Sequence, residues 1–449
     1  MNGQPTPDVI DRIRDIPLYR AAIERGHFPI LEKPEIARGF PDNWMTPRLA
    51  AALATGEAEF VLSTGTNHAR MQIIRPPYFL LNSYYRLWSE HPDIAATWAE
   101  GCPRVSLTTV LATEHVARVN ARKRGEEPSG APSPADRRLD EHTFYLNLTL
   151  DPGHWQRADV ERMLTEIRDA ARAHPGGRYH LDCSSSHLAH LVRKAVAWGL
   201  WEHLPRPASI VHAYEYTPAN VARYLREHFD CPIVDLFGST ELGYLYSSDR
   251  DGGYRPHLED MSVELLPVAP DSTIHSLIVT SVRNPYMPLV RYRSGDCVRT
   301  ADGSTDPALI TRFCGREKEL LPTPRGPVAQ GDLDDAVSAV TPRVFLHRLH
   351  LGDGDEDGAV LRCTTFDGAP LRADETDALA HAVRELTGRR CRVEHHAQLP
   401  IGPSGKYPWL AAPPSSPATP TATATVATAT VAPAPSSGPA AGTTHGDLR

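Results

Sequence analysis

Short apolar runs alternate with amphipathic stretches through the middle of the chain, and that alternation narrows the folds open to it. Residues 159–173 place Val160, Met163, Leu164, Ile167 and Ala171 at helical spacing, which leaves one stripe to be buried. Residues 188–200 predict a second helix. Residues 219–228 predict a third, opened by Thr217-Pro218 as cap and first-turn proline. Pro232-Ile233-Val234-Asp235-Leu236-Phe237 then predicts a buried strand that runs into a turn at Gly238, and 276–281 and 289–293 predict further strands. Strands alternating with helices imply a layered α/β domain built on parallel sheet. After Gly315-Arg316 the pattern changes: 344–351, 359–365 and 390–395 predict strands and 375–387 a helix. Such a set makes a small α+β unit of about 100 residues.

The expected organisation is a large N-terminal α/β domain over 1–310, a small C-terminal α+β domain over 311–412 and a tail over 413–449. The tail is built of Pro, Ala, Thr, Ser and Val in near-repeats. It has little bulky apolar surface to offset its ordering entropy and is expected to be disordered. A second loop is expected across 122–140, where Gly, Pro, Ser and charges interrupt the pattern.

Composition removes several function classes. A net charge of -8 gives no basic face for phosphate neutralisation, which argues against a nucleic-acid partner. No apolar run approaches the roughly 20 residues a membrane-spanning helix needs. The polar first 14 residues offer no hydrophobic core for a secretory signal. Seven scattered cysteines, never in C-x-x-C spacing, read as reduced thiols in the cytoplasm and neither as a disulfide frame nor as a zinc site.

Four segments carry the chemistry: Ser63-Thr64-Gly65-Thr66, Phe237-Gly238-Ser239-Thr240-Glu241, Arg291-Tyr292-Arg293-Ser294-Gly295-Asp296 and Pro403-Ser404-Gly405-Lys406. The first is a hydroxyl-rich turn whose O–H and N–H groups can converge on phosphate oxygens. The second offers one carboxylate, as suits Mg²⁺, which prefers few carboxylates plus phosphate oxygens and water. Asp296 can accept both hydroxyls of a ribose. Lys406 is one of five lysines against 42 arginines, so a lysine in this place stands out.

In this order the segments resemble the core motifs of the adenylate-forming (AMP-binding) enzymes, and most of all the phenylacetate-CoA ligase branch. Met287-Pro288-Leu289, leading into Arg291-Tyr292, matches that branch's approach to its ribose-binding Asp. The resemblance implies a large adenylation domain with a small mobile C-terminal domain that carries a catalytic lysine. It implies that Ser63, Thr64, Gly65 and Thr66 grip the β- and γ-phosphates of ATP. The family's Gly-x-Pro-Lys ending is replaced here by His68-Ala69-Arg70, so Arg70 is the candidate for the missing positive charge. By the same resemblance Phe237 lies near adenine in the turn of Gly238 and Ser239, Thr240 reaches the α-phosphate and Glu241 holds Mg²⁺. Glu215, in His212-Ala213-Tyr214-Glu215-Tyr216, occupies an adenine-contact position. Asp296 reads the ribose, Arg316 follows ribose and phosphate, and Lys406 serves the adenylation step.

The acid pocket implied by the family would be lined by His142, Phe144, Ser185, Tyr214, Leu242 and Tyr244. That mix of aromatic and polar groups suits a small aromatic or unsaturated acid better than a long alkyl chain. The expected partners are a small-molecule carboxylic acid, ATP with Mg²⁺, and CoA as acceptor, with a homodimer left open. An acceptor other than CoA (an amine, a carrier-protein thiol or a small nucleophile) is the alternative. A degenerate nucleotide-binding module is the third reading, and Glu241, Asp296 and Lys406 argue against it.

Overall fold

Five short parallel strands form the centre of the molecule. The computed structural model describes residues 4–62, 71–126, 130–249, 252–259, 261–270, 272–352 and 358–411. Its largest sheet has seven strands, in the order Thr143–Tyr145, Arg104–Leu107, His180–Cys183, Ser209–His212, Ile233–Ser239, Gly243–Ser248 and Tyr254–Pro256. The first five run parallel, and the chain then turns back twice in antiparallel pairing. Both faces of the parallel part are covered, as crossover helices require. On one face lie the helices Arg157–Ala173, Ser185–Ala197 and Ala219–His228, with Val160, Met163, Leu164 and Ile167 packed against Leu181 and Ile210. On the other face the helix Phe79–Glu90 brings Tyr84, Leu87 and Trp88 against Val211, Val234 and Tyr244.

The helix predicted over 159–173 starts two residues earlier, at Arg157, behind a cap in which Gln156 N–H donates to the Asp159 carboxylate at 2.8 Å. The helix predicted over 188–200 instead spans Ser185–Ala197. Its end comes early because the chain reverses at Gly199, in the left-handed region at φ +69°. Its start comes early because the Glu215 carboxylate, from a different strand end, accepts the Ser186 N–H at 3.0 Å. The helix Val110–Lys123 runs into the stretch expected as a loop from 122 onward, so the irregular segment begins after Lys123.

A second, antiparallel sheet joins Met261–Pro267, Ile274–Ser281, Leu289–Thr300 and Ile310–Arg316 in sequence order. The strand Ile310–Arg316 pairs with Leu289–Thr300, which keeps residues just past 310 with the large body. The three-stranded sheet Val344–Leu351, Ala359–Thr365 and Cys391–His395 follows, backed by the helices Gln330–Val340 and Ala373–Thr387. Residues through Ala411 pack as one compact unit. The tail expected over 413–449 lies outside the described residues.

Candidate functional site

The strand Ile233–Ser239 ends in the turn that carries Thr240 and Glu241, and the chain returns as Gly243–Ser248. Only glycine fits at 238: a Cβ there would collide with the Gly243 carbonyl oxygen and lie 2.7 Å from Tyr244 Cα. Glu241 is 6% exposed, and the Tyr292 hydroxyl donates to its Oε1 at 2.9 Å. That contact ties the turn to the antiparallel sheet, because Tyr292 belongs to Leu289–Thr300. Four residues on, Asp296 is 8% exposed and pairs with Arg316 at 3.1 Å. Ser294 Oγ accepts the Asp296 N–H at 3.1 Å, and Arg316 also donates to the Ser294 carbonyl at 3.4 Å.

Lys406 completes the group from the far end of the described chain. Gly405, at φ +74°, lets its loop close on the large body: a Cβ there would collide with Thr109, at the cap of Val110–Lys123. Burial lowers the Lys406 pKa, as does the nearby Arg316, while Glu215 and Asp296 pull the other way. Burial likewise raises the Asp296 pKa, opposed by Arg316 and reinforced by Glu241. Burial also raises the Glu215 pKa, opposed by the Ser186 hydrogen bonds and by Lys406. Glu215 and Asp296 thus lie within electrostatic reach of Lys406, and Glu241 within reach of Arg316, beside the turn at the carboxyl end of the strand Ile233–Ser239, the end where open α/β sheets bind ligands. Among the described residues no three His, Cys, Asp or Glu converge on a metal position. A single buried carboxylate at Glu241 nevertheless fits Mg²⁺, which takes its remaining ligands from phosphate and water.

No protein-family model matches the chain, and no curated protein matches it in sequence. Solved structures do match it in shape. One is 2-hydroxyisobutyryl-CoA ligase in the postadenylation state with 2-HIB-AMP, at TM-score 0.62 and 14% identity over 90% of this chain and 88% of that one. Another is the anthranilate CoA ligase with anthranoyl-AMP, at TM-score 0.51 and 14% identity over 77% of this chain and 65% of that one. The fold is that of the AMP-forming acyl-CoA ligases.

Within this fold the expected site residues separate into groups. Glu215, Gly238, Ser239, Thr240, Glu241, Asp296, Arg316 and Lys406 gather at or beside the turn. Ser239 Oγ is buried with no hydrogen-bond partner among the described residues. Phe237 has one ring face stacked on Phe313 at 3.7 Å, so an aromatic neighbour from the strand Ile310–Arg316 already covers that face. Ser63, Thr64, Gly65, Thr66 and Arg70 lie outside the described residues.

The six pocket candidates do not form one lining. Tyr214, held at φ +78°, donates to Asp182 at 3.0 Å. Tyr244 reaches Tyr214 and packs edge-on against Tyr84 at 5.9 Å. Ser185 is fully buried, and its hydroxyl has no partner among the described residues. The other three depart from expectation. His142 is exposed, beside Glu141, because it precedes the edge strand Thr143–Tyr145. Phe144 faces the helix-side core under the Arg137 guanidinium, and Leu242 joins the core of the antiparallel sheet.

Sequence reasoning missed the polar centre beneath Tyr214. Arg104 and Asp182 form a buried ion pair on adjacent parallel strands, and Ser106 also donates to Asp182 at 3.3 Å. Asp182, amid His180-Leu181-Asp182-Cys183, was the available signal: a charge in a segment short enough to be wholly buried.

Proposed function

We propose that this chain is an ATP-dependent, AMP-forming acid–thiol ligase that activates a small, aromatic or unsaturated carboxylic acid and transfers it to CoA. The observation that carries the reading is the Asp296–Arg316 pair at 3.1 Å, with Lys406 and Glu215 within electrostatic reach of it. Residues far apart in sequence bring to one place the groups that adenylation requires. The segment Met287-Pro288-Leu289, ahead of Tyr292, supports placing it in the phenylacetate-CoA ligase branch.

In the first half-reaction a carboxylate oxygen of the acid attacks the α-phosphorus, and the bond from that phosphorus to the pyrophosphate oxygen breaks. Asp296 holds the ribose, with Arg316 beside it, and Thr240 reaches the α-phosphate. Lys406 neutralises charge that grows on the acid and α-phosphate oxygens, an electrostatic role that needs no proton transfer. Mg²⁺, held by Glu241 with phosphate oxygens and water, would supply charge neutralisation on the phosphates. In the second half-reaction the CoA sulfur attacks the acyl carbon, the acyl–phosphate C–O bond breaks, and AMP leaves as the thiol proton is lost. The small unit that follows the strand Ile310–Arg316 turns against the large body between the two steps and withdraws Lys406. Tyr214 and Tyr244, over the Arg104–Asp182 pair, favour an acid small enough to meet aromatic rings.

The test is a mixed acid library with ATP, Mg²⁺ and hydroxylamine, read by mass spectrometry of the acyl-hydroxamates. Acid-dependent hydroxamate identifies the substrate, and thioester formed with CoA, with no amide formed from added amines, assigns the acceptor. No hydroxamate from any acid, with no acid-dependent pyrophosphate exchange, would remove the ligase reading.

A further inference from the structure

The residue after Lys406 reaches back into the large body. Tyr407 Oη lies 3.0 Å from His190 Nε2 and 3.3 Å from Asp151 Oδ1, and its ring stacks on the His190 imidazole at 5.9 Å. A carboxylate only accepts, so the Tyr407 hydroxyl donates to Asp151 and takes the Nε2–H of His190. That tautomer leaves His190 Nδ1 as a bare acceptor, and Nδ1 has no partner among the described residues. Burial pushes the His190 pKa well down, in keeping with a neutral ring carrying one N–H.

The three side chains are themselves well supported. His190 packs edge-on against Phe345 at 4.7 Å. Asp151 also accepts from Gln398 Nε2 at 2.9 Å and from the Gly153 N–H at 2.8 Å. Lys194 donates to the Gly153 and Trp155 carbonyls at 2.7 and 2.6 Å, which ties the segment bearing Asp151 to the helix bearing His190. On that helix, Ser185–Ala197, Ser186 and His190 are four residues apart and share a face. One position binds Glu215, which faces Lys406, and the other binds Tyr407, so a single helix face addresses both sides of the lysine.

We propose that Asp151, Tyr407 and His190 form a latch that holds the Lys406 loop closed on the large body. They are positioning residues and touch no substrate. With Lys406 as the adenylating cation, which rests on the function proposed above, the latch sets how much of the enzyme is poised for the first half-reaction. It must open before the second.

Limited trypsin digestion of the full chain tests the latch without any substrate, because trypsin cleaves after Lys406 only when the loop opens. When reclosing is fast, that rate tracks the open population. Tyr407→Phe keeps the ring and deletes both hydrogen bonds. It is expected to raise cleavage after Lys406 roughly tenfold to a hundredfold, as loss of a hydrogen bond to a charged group implies. Cleavage after Arg325, whose side chain is 73% exposed on another turn, should not change. Asp151→Asn retains an accepting oxygen and should give a smaller rise at the same bond. An unchanged rate after Lys406, or equal rises after Lys406 and Arg325, would overturn the latch.

In enzyme with acid-dependent pyrophosphate exchange, Tyr407→Phe should lower the exchange kcat at unchanged KM for ATP, by a smaller factor than cleavage rises, because exchange follows the closed fraction and cleavage the open one. Thioester formation from supplied acyl-adenylate should stay as fast or become faster. Equal losses in both half-reactions would also overturn the latch. Wild-type enzyme without exchange, but with the trypsin difference, would remove the ligase reading and leave the latch standing.

Discussion

The turn at Gly238–Glu241 and the loop at Leu399–Trp409 bring charges to the same place by opposite means. The turn is part of the large sheet, and Glu241 on it is paired with Tyr292 of the antiparallel sheet, where Asp296 is in turn paired with Arg316. The loop is fixed at one end, where Trp409 sits in the core of the small three-stranded unit and the Leu349 N–H donates to the Trp409 carbonyl at 2.7 Å. Two residues earlier, Tyr407 meets the large body through two side-chain hydrogen bonds and a ring stacked on His190. Opening the loop breaks those side-chain contacts, whereas moving the turn would break a sheet. The fixed half suits binding that persists through both steps, and the detachable half suits a charge needed in one step only.

Lys406→Ala tests that division most strongly. Pyrophosphate exchange should fall about 10²–10³-fold, the usual cost of removing one preorganised charge from a transition state. Thioester formation from supplied acyl-adenylate should be nearly spared. Equal losses in both steps would erase the contrast between turn and loop.

Glu241→Gln comes next. It replaces the carboxylate by a neutral amide, so the Mg²⁺ concentration for half-maximal exchange should rise at least about tenfold, a loss that even outer-sphere partners cause. Superimposable Mg²⁺ titrations would take Glu241 off the metal. Asp296→Ala should raise the KM for ATP and leave the ranking of acids unchanged. A new acid ranking at unchanged KM would mean that Asp296 faces the acid.

Gly238→Ala addresses the rigidity of the turn itself. The added methyl has no room beside Gly243 and Tyr244, and overpacking of this kind costs about 1–3 kcal/mol. Thermal unfolding should register that loss. A variant as stable as wild type would show that the turn yields, and with it the claim of a fixed half.

The two regions also differ in how legible they were from sequence. Glu241, Asp296 and Lys406 each lie in a short contiguous motif, so their chemistry could be read one segment at a time. The central strands Arg104–Leu107, His180–Cys183 and Ser209–His212 could not be read that way. They are four residues each and fully buried, yet Arg104, Ser106, His180, Asp182 and Ser209 make them look polar. Some of their polar groups pair with one another across the sheet, as in Arg104–Asp182 and in His180 Nδ1 with Ser209 Oγ at 2.7 Å, which no local pattern announces. The start of the helix Ser185–Ala197 was hidden for a related reason: Glu215, some thirty residues on, holds its first turn. Strands of the small unit were legible because Val344–Leu351 and Ala359–Thr365 carry strings of β-branched and apolar residues.

The smallest expected effect is a shift in pH dependence, and it asks whether the detachable charge senses the fixed carboxylates. Burial and Arg316 hold the Lys406 pKa below its usual range, while Glu215 and Asp296 raise it. Rising pH strips the proton as it passes through this lowered value, and the neutral amine no longer offsets charge at the α-phosphate. Adenylation should therefore decline with rising pH earlier than the ~10.4 of an ordinary lysine. Removing a negative neighbour lowers the pKa further, so in Glu215→Gln the decline should move to lower pH. Arginine stays charged throughout, so Lys406→Arg should retain some rate and lose the decline. The measurement is pyrophosphate exchange from about pH 7 to about pH 10 in the three proteins, each at saturating ATP. A decline that stays put in Glu215→Gln, or that persists in Lys406→Arg, would assign it to another group and uncouple the loop from the turn.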